Sequence, residues 1–119
     1  MIIKASQFNA LGDEMFKQFL NDLTHEMESE YPDWKSDATF SNKFTTVRNI
    51  VEYGQKLNLT EANPLKNFTS YLIRFNQQIP LAAEIVNELK NVNIDEEVRI
   101  EKLYLRLACK RDNLILIEI

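Results

Sequence analysis

Residues 63–79 read NPLKNFTSYLIRFNQQI, and the spacing of the apolar residues in this stretch decides the fold class. These residues recur at intervals of three and four, which places them on one face of an α-helix: Leu65, Phe68, Leu72, Phe75 and Ile79. Pro64 is compatible with this reading, because proline is tolerated in the first turn of a helix. The stretch therefore predicts a helix whose apolar face lies in a protein core.

Four more stretches show the same helical spacing. The first runs from about residue 7 to 30 behind Ser6, a good N-cap, and Tyr31-Pro32 ends it. The second starts near Asp37, a short one restarts at Pro80, and a last one opens at Asp95. With 119 residues the chain fits one domain. The sequence predicts an all-α protein, a compact bundle of four to five helices spanning residues 1–119.

The joint between the second and third helices carries specific signals. Gly54 lies inside the second helix at some cost, which indicates a place where another helix comes close. Asn58 is predicted in the left-handed cap position, with Leu59 packing back onto the bundle. Thr60 or Asn63 is expected to cap the third helix.

The C-terminal residues 114–119, LILIEI, are apolar and largely β-branched and follow an Asp-Asn turn signal, so they predict a short strand-like tail. One interpretation pairs this tail with residues 1–4 or packs it on the bundle. The other adds it to a sheet of a partner protein, since a lone strand leaves its backbone groups unpaired.

Charge and composition exclude several classes of function. The net charge of −4 argues against a nucleic-acid binder. No apolar run reaches the roughly 18 residues of a membrane span and no signal peptide is visible, so we expect a cytoplasmic protein that is not bound to a membrane. The single cysteine, Cys109, is expected to be a buried structural thiol beside Leu105 and Ala108.

The charges are unevenly distributed along the chain. Residues 13–37 hold eight acids against two lysines, and residues 99–111 hold five bases against one acid. Several of the early residues lie four apart and predict one polar, mainly acidic ridge along the first helix: Glu14, Gln18, Asp22, Glu26 and Glu30. One interpretation is that the basic face of the last helix neutralises this ridge within the fold.

The residue types needed for catalysis are scarce. His25 is the only histidine, and the nearby Asp22, Glu26 and Glu28 lack the paired Glu-x-x-His spacing of a di-iron bundle. The chain also lacks a Gly-x-Ser-x-Gly elbow and a glycine-rich phosphate loop. We therefore expect no enzyme activity, no metal and no cofactor.

Two large aromatic residues stand among acids around the first interhelical loop. Tryptophan and tyrosine are favoured anchors in interfaces, and acids speed docking onto a basic partner. These residues predict a partner-binding site: Glu26, Glu28, Glu30, Tyr31, Asp33, Trp34 and Asp37. The alternative is that Tyr31 and Trp34 simply seal the end of the bundle.

The order of these features resembles small bacterial proteins of similar length that are encoded beside type VI secretion effectors. The likeness is carried by Met1 to Phe8, Phe19 to Pro32, Gly54 to Glu61, and Arg99 to Tyr104. It implies an accessory of an effector, either a cognate immunity protein or a loading chaperone or adaptor, and it implies no particular site residue.

The sequence thus predicts a non-enzymatic protein-binding module, with a toxin or secreted effector that has a basic surface as the expected partner. The competing interpretation is a structural or regulatory protein that associates with itself, for example a homodimer whose acidic and basic faces meet.

Overall fold

The part of the chain that the structure describes forms five α-helices. The computed structural model describes the backbone of residues 13–118 and the side chains of residues 14–109. The helices are α1 (Asp13–Glu30), α2 (Phe40–Lys56), α3 (Ala62–Arg74), α4 (Ala83–Leu89) and α5 (Glu96–Glu118). The predicted all-α bundle is therefore confirmed. The predicted first turn of the first helix and its cap Ser6 lie outside the described residues.

The helices pack in a sequence that places α3 near the centre. Helix α1 packs on α2, α2 on α3, α3 on α5, and the short α4 on α5. The apolar face predicted from residues 63–79 lies in the core, where Leu65, Phe68 and Leu72 are almost fully buried. Phe75 and Ile79 are half-buried and pack against that core.

The joint between α2 and α3 follows the sequence prediction closely. Asn58 adopts a left-handed conformation with φ of 67°, and the Leu59 amide donates to the Gly54 carbonyl. This pattern is a Schellman C-cap. A Cβ atom placed on Gly54 would lie 3.0 Å from side-chain carbons of both Leu65 and Phe68, which confirms the predicted close approach of another helix.

Helix α3 ends at Arg74, five residues before the end of its apolar pattern. Asn76 adopts a left-handed conformation with φ of 51°, and the Gln77 amide donates to the Leu72 carbonyl over 2.8 Å. The same C-cap chemistry as at Asn58 therefore stops the helix. Helix α4 begins at Ala83 rather than at Pro80, which follows a cis peptide bond.

The expected cap of α3 by Thr60 or Asn63 is wrong. Glu61 is the N-cap residue and makes no side-chain capping bond. Instead, the Glu96 carboxylate of α5 accepts hydrogen bonds from the Thr60 hydroxyl and from the amides of Thr60 and Glu61. A residue distant in sequence thus satisfies the free donors near the start of α3.

The sequence predicts a strand at residues 114–119. This prediction is wrong over residues 114–118, where the backbone continues the helix α5. A helix satisfies its backbone groups locally, whereas a strand needs a neighbour. No β-strand is found in the described part of the chain. The predicted pairing with residues 1–4 lies outside the described residues.

Candidate partner-binding surface

The loop between α1 and α2 is held in a compact shape by backbone hydrogen bonds. The Tyr31 amide donates to the Met27 carbonyl, the Trp34 amide to the Tyr31 carbonyl, and the Ala38 amide to the Lys35 carbonyl. Lys35 has a φ of 46°, a left-handed conformation that is uncommon for lysine. The loop therefore presents its side chains from a defined scaffold.

Two of the seven predicted partner-binding residues form ion pairs within the fold. Glu28 accepts a hydrogen bond of 2.9 Å from Lys43 of α2, a lysine that is only 8% exposed. Glu26 pairs with Lys66 of α3 over 3.3 Å. These two acids join α1 to its neighbouring helices, so they contribute less to an outward-facing site than the sequence suggested.

The two aromatic residues of the loop are half-buried and pack against the core, as the sealing interpretation predicts. The Tyr31 hydroxyl lies 2.7 Å from the Ser70 hydroxyl of α3. Burial raises the pKa of Tyr31, while the hydrogen bond with Ser70 acts in the opposite direction. Both rings nevertheless keep part of their surface accessible.

The remaining three acids of the predicted set, Glu30, Asp33 and Asp37, are exposed. None of them forms an ion pair with a described lysine or arginine. We call the five residues that meet here the loop surface: Glu30, Tyr31, Asp33, Trp34 and Asp37. It combines aromatic rings fixed by the core with carboxylates that the fold leaves uncompensated.

The described basic side chains of α5 form no ion pair with the ridge of α1. Arg106 pairs with Glu84 and Glu88 of α4. The hydrogen bond with Glu88 raises the pKa of Arg106 above its ordinary value. Arg99 is 4% exposed and donates to backbone carbonyls. The ridge predicted on α1 is exposed throughout, from Glu14 to Glu30. Among the described side chains, no ion pair joins α1 to α5.

A groove of about 380 Å³ adjoins the loop surface at Trp34. We call it the amide groove, because side-chain amides from α2 and from the α3–α4 loop line it together with apolar residues: Asn49, Asn76, Gln77, Gln78, Ile50, Ile73 and Ile79. Lys35 and Asn76, both in left-handed conformations, stand on its walls. Such a lining suits hydrogen bonding to polypeptide backbone.

A second groove of about 500 Å³ lies between α3 and α5. We call it the tyrosine groove, after Tyr71 and Tyr104, whose ring centroids are 5.0 Å apart. Glu97 and Glu101 of α5 line the same groove. The sequence does not predict this groove, because its two walls come from helices whose pairing the sequence does not reveal.

His25 and Cys109 are the residues that the sequence offers for catalysis or metal binding. His25 is exposed and stacks on Phe40, with ring centroids 4.6 Å apart. Its Nδ1 atom lies 3.5 Å from the Oε1 atom of Glu28. Within the described part of the chain, no three histidine, cysteine or acidic side chains are placed to share a metal ion.

The prediction that Cys109 is a buried thiol is wrong. Cys109 is exposed, on the same face of α5 as the exposed Leu105 one turn earlier.

Over the described residues, none of the helices combines the length and apolarity required to cross a membrane. Comparison with known proteins finds no matching family model, no matching curated protein and no matching solved structure.

Proposed function

We propose that this chain is a non-enzymatic protein-binding module whose partner docks on the loop surface. One observation carries the proposal: Trp34 is held half-exposed at the edge of the amide groove, between acids that no described cation neutralises. A fixed aromatic side chain beside a groove is the typical anchor of an interface. Unpaired carboxylates around it favour a partner with a basic surface.

As the particular role we propose a cytoplasmic immunity protein or accessory of a bacterial toxin or type VI effector. The resemblance of the helix pattern to such accessories supports this role. A toxin that acts on nucleic acid carries a basic cleft, and an acidic surface with a half-exposed aromatic ring is suited to cover it. A loading chaperone or adaptor would use the same surface without blocking an active site.

A specific observation favours self-association as a second candidate function. Val98 and Leu105 of α5 are 42% and 53% exposed. They lie seven residues apart and therefore on one face of the helix, which Cys109 extends. An apolar stripe of this kind supports a homodimer in which two copies of α5 meet.

The test of the proposal is direct binding to a partner identified by co-purification from the native host. We expect Trp34→Ala and Asp33→Lys each to weaken binding by tenfold or more, because the first removes the anchor and the second reverses a docking charge. Asp22→Lys is the matched control, since Asp22 is an exposed acid of α1 outside the loop surface. Circular dichroism must show that each variant stays folded.

Binding that is unchanged in both loop variants would refute the loop surface as the docking site. A weakening of equal size in Asp22→Lys would show that only the overall charge matters. If no partner co-purifies and the chain sediments as a dimer that Leu105→Glu dissociates, self-association replaces the proposed function.

A further inference from the structure

The tyrosine groove carries an ordered strip of side chains along α5. Glu97, Glu101 and Tyr104 follow one another at intervals of four and three residues, so all three face the same way, and all three line the groove. Tyr71 stands on the opposite wall, on α3, with its ring against that of Tyr104. Two carboxylates and a pair of aromatic rings thus share one cavity.

The acids of this groove have no cation of their own. Glu97 and Glu101 are exposed, and neither pairs with a lysine or arginine among the described side chains. The one basic residue that lines the groove, Lys66, pairs instead with Glu26 of α1. The groove therefore presents two uncompensated negative charges to a ligand.

One tyrosine ring of the groove, that of Tyr104, already has a guanidinium beside it, from a residue outside the groove lining. The Arg74 guanidinium carbon lies 5.5 Å from the ring centroids of both Tyr104 and Phe75, within the distance of a cation–π interaction. Arginine also has a planar fork of donors that suits carboxylates, whereas lysine is a compact point charge. The chemistry of carboxylates next to tyrosine rings therefore favours arginine over lysine.

We propose that the tyrosine groove binds an arginine side chain from a basic segment of the partner protein. This inference rests on the proposed function, because α3, which forms one wall of the groove, is also the helix that Tyr31 of the loop surface contacts. Tyr31 contacts Ser70 of α3, and Arg74, one turn further along α3, stands over the ring of Tyr104. A partner that docks on the loop surface and extends along α3 reaches Glu97 and Glu101.

The experiment titrates the full-length, ¹⁵N-labelled protein with a blocked arginine hexapeptide and follows amide shifts by NMR. We expect the largest shifts at residues of α3 and α5 that line the groove. The matched lysine hexapeptide should bind several-fold more weakly, and the uncharged citrulline hexapeptide should not bind measurably. Equal binding of arginine and lysine, or shifts confined to α1, would overturn the proposal.

Two variants of equal charge change separate the groove from general attraction. Glu97→Gln combined with Glu101→Gln should weaken the arginine peptide about tenfold, since each exposed charge pair contributes up to roughly a factor of five. The control combines Glu14→Gln with Asp22→Asn, two exposed acids of α1, and should bind like the parent. Equal weakening by both double variants would show unspecific attraction and refute the site.

The same variants keep this inference apart from the proposed function. If Trp34→Ala abolishes binding of the purified partner and the Glu97/Glu101 double variant does not weaken it, the groove assignment is wrong and the loop surface stands. If the parent dimerises with rising concentration and the double variant dissociates that dimer, the occupant is a second copy, which also overturns the inference.

Discussion

The Tyr31 side chain joins the α1–α2 loop to α3 through a hydrogen bond of 2.7 Å between its hydroxyl and that of Ser70. The ring packs against the core, and burial raises the pKa of the phenol because the charged form is poorly solvated there. A group of this kind makes the stability of the fold depend on pH in the alkaline range.

The sign of this dependence follows from the direction of the shift. The folded pKa of Tyr31 lies above its unfolded value of about 10, so the folded chain keeps a proton that the unfolded chain releases. The resulting contribution to stability is fully present below about pH 10 and is lost as the pH rises through the folded pKa.

We therefore expect Tyr31→Phe to be less stable than the parent by roughly 0.5–1.5 kcal/mol at pH 7, because the hydrogen bond to Ser70 is lost. The difference should shrink above pH 10, where only the parent has a phenol to deprotonate. Urea unfolding of both proteins at pH 7, 9, 10 and 11 measures it. A difference that stays constant up to pH 11 would contradict the assigned role of Tyr31.

At the scale of elements, Arg99 ties three segments together. Its guanidinium group donates to the carbonyls of Leu89 at the end of α4, Ile94 in the following turn, and Asn58 in the α2–α3 turn. The side chain is almost fully buried and has no carboxylate among its hydrogen-bond partners. It therefore places a positive charge at the negative end of a short helix and satisfies backbone carbonyls of three segments.

Arg99→Met keeps much of the volume but removes all of these donors. We expect a loss of about 3 kcal/mol in the free energy of unfolding, since hydrogen bonds from charged groups to buried acceptors are costly to remove. Lys102→Met is the control, because Lys102 is an exposed residue of the same helix and should change stability by less than about 0.5 kcal/mol. Equal effects in urea unfolding would show that Arg99 acts only through its charge.

The elements also show what the sequence can and cannot predict. The apolar spacing identified each of the five helices in the described residues, and Asn58 marked the end of α2 because its cap chemistry is local. Asn76 carries the same signal, but the apolar pattern that continues to Ile79 concealed it. The tail was misjudged because β-branched residues favour strands only when a partner strand exists.

The candidate site was predictable only where its residues are neighbours in sequence. The loop surface is contiguous in sequence, so Trp34 and its neighbouring acids were found directly. The pairing of Glu26 with Lys66, and of Tyr71 with Tyr104, depends on which helices pack together. Spacing along one helix does not contain that information, so the internal role of Glu26 and the tyrosine groove required the structure.

Across the whole molecule, the described ion pairs leave an unbalanced charge distribution. Basic residues of α2, α3 and α5 pair with acids of α1 and α4, as in Lys43–Glu28, Lys66–Glu26 and Arg106–Glu88. The acids that remain without such a pair include those of the loop surface and of the tyrosine groove. With a net charge of −4, the protein attracts a basic partner, and these unpaired acids are available to contact it.

This distribution predicts that charge acts on the rate of association more than on the rate of dissociation. The range over which exposed charges interact falls from about 30 Å at 0.01 M salt to about 8 Å at physiological ionic strength. We therefore expect the association rate constant with the purified partner to fall tenfold or more between 0.01 M and 0.5 M salt, while the dissociation rate constant changes little. Surface plasmon resonance over this salt range measures both constants.

Trp34→Ala provides the contrast that identifies the mechanism. This substitution removes contact area but no charge. It should therefore raise the dissociation rate constant and leave the salt dependence of association unchanged. Asp33→Lys should act on association instead. It should lower the association rate constant at low salt and make this constant less dependent on salt. If association proves independent of salt in the parent, the partner does not approach through the acidic loop surface, and the exposed stripe of Val98 and Leu105 on α5 becomes the docking face to test.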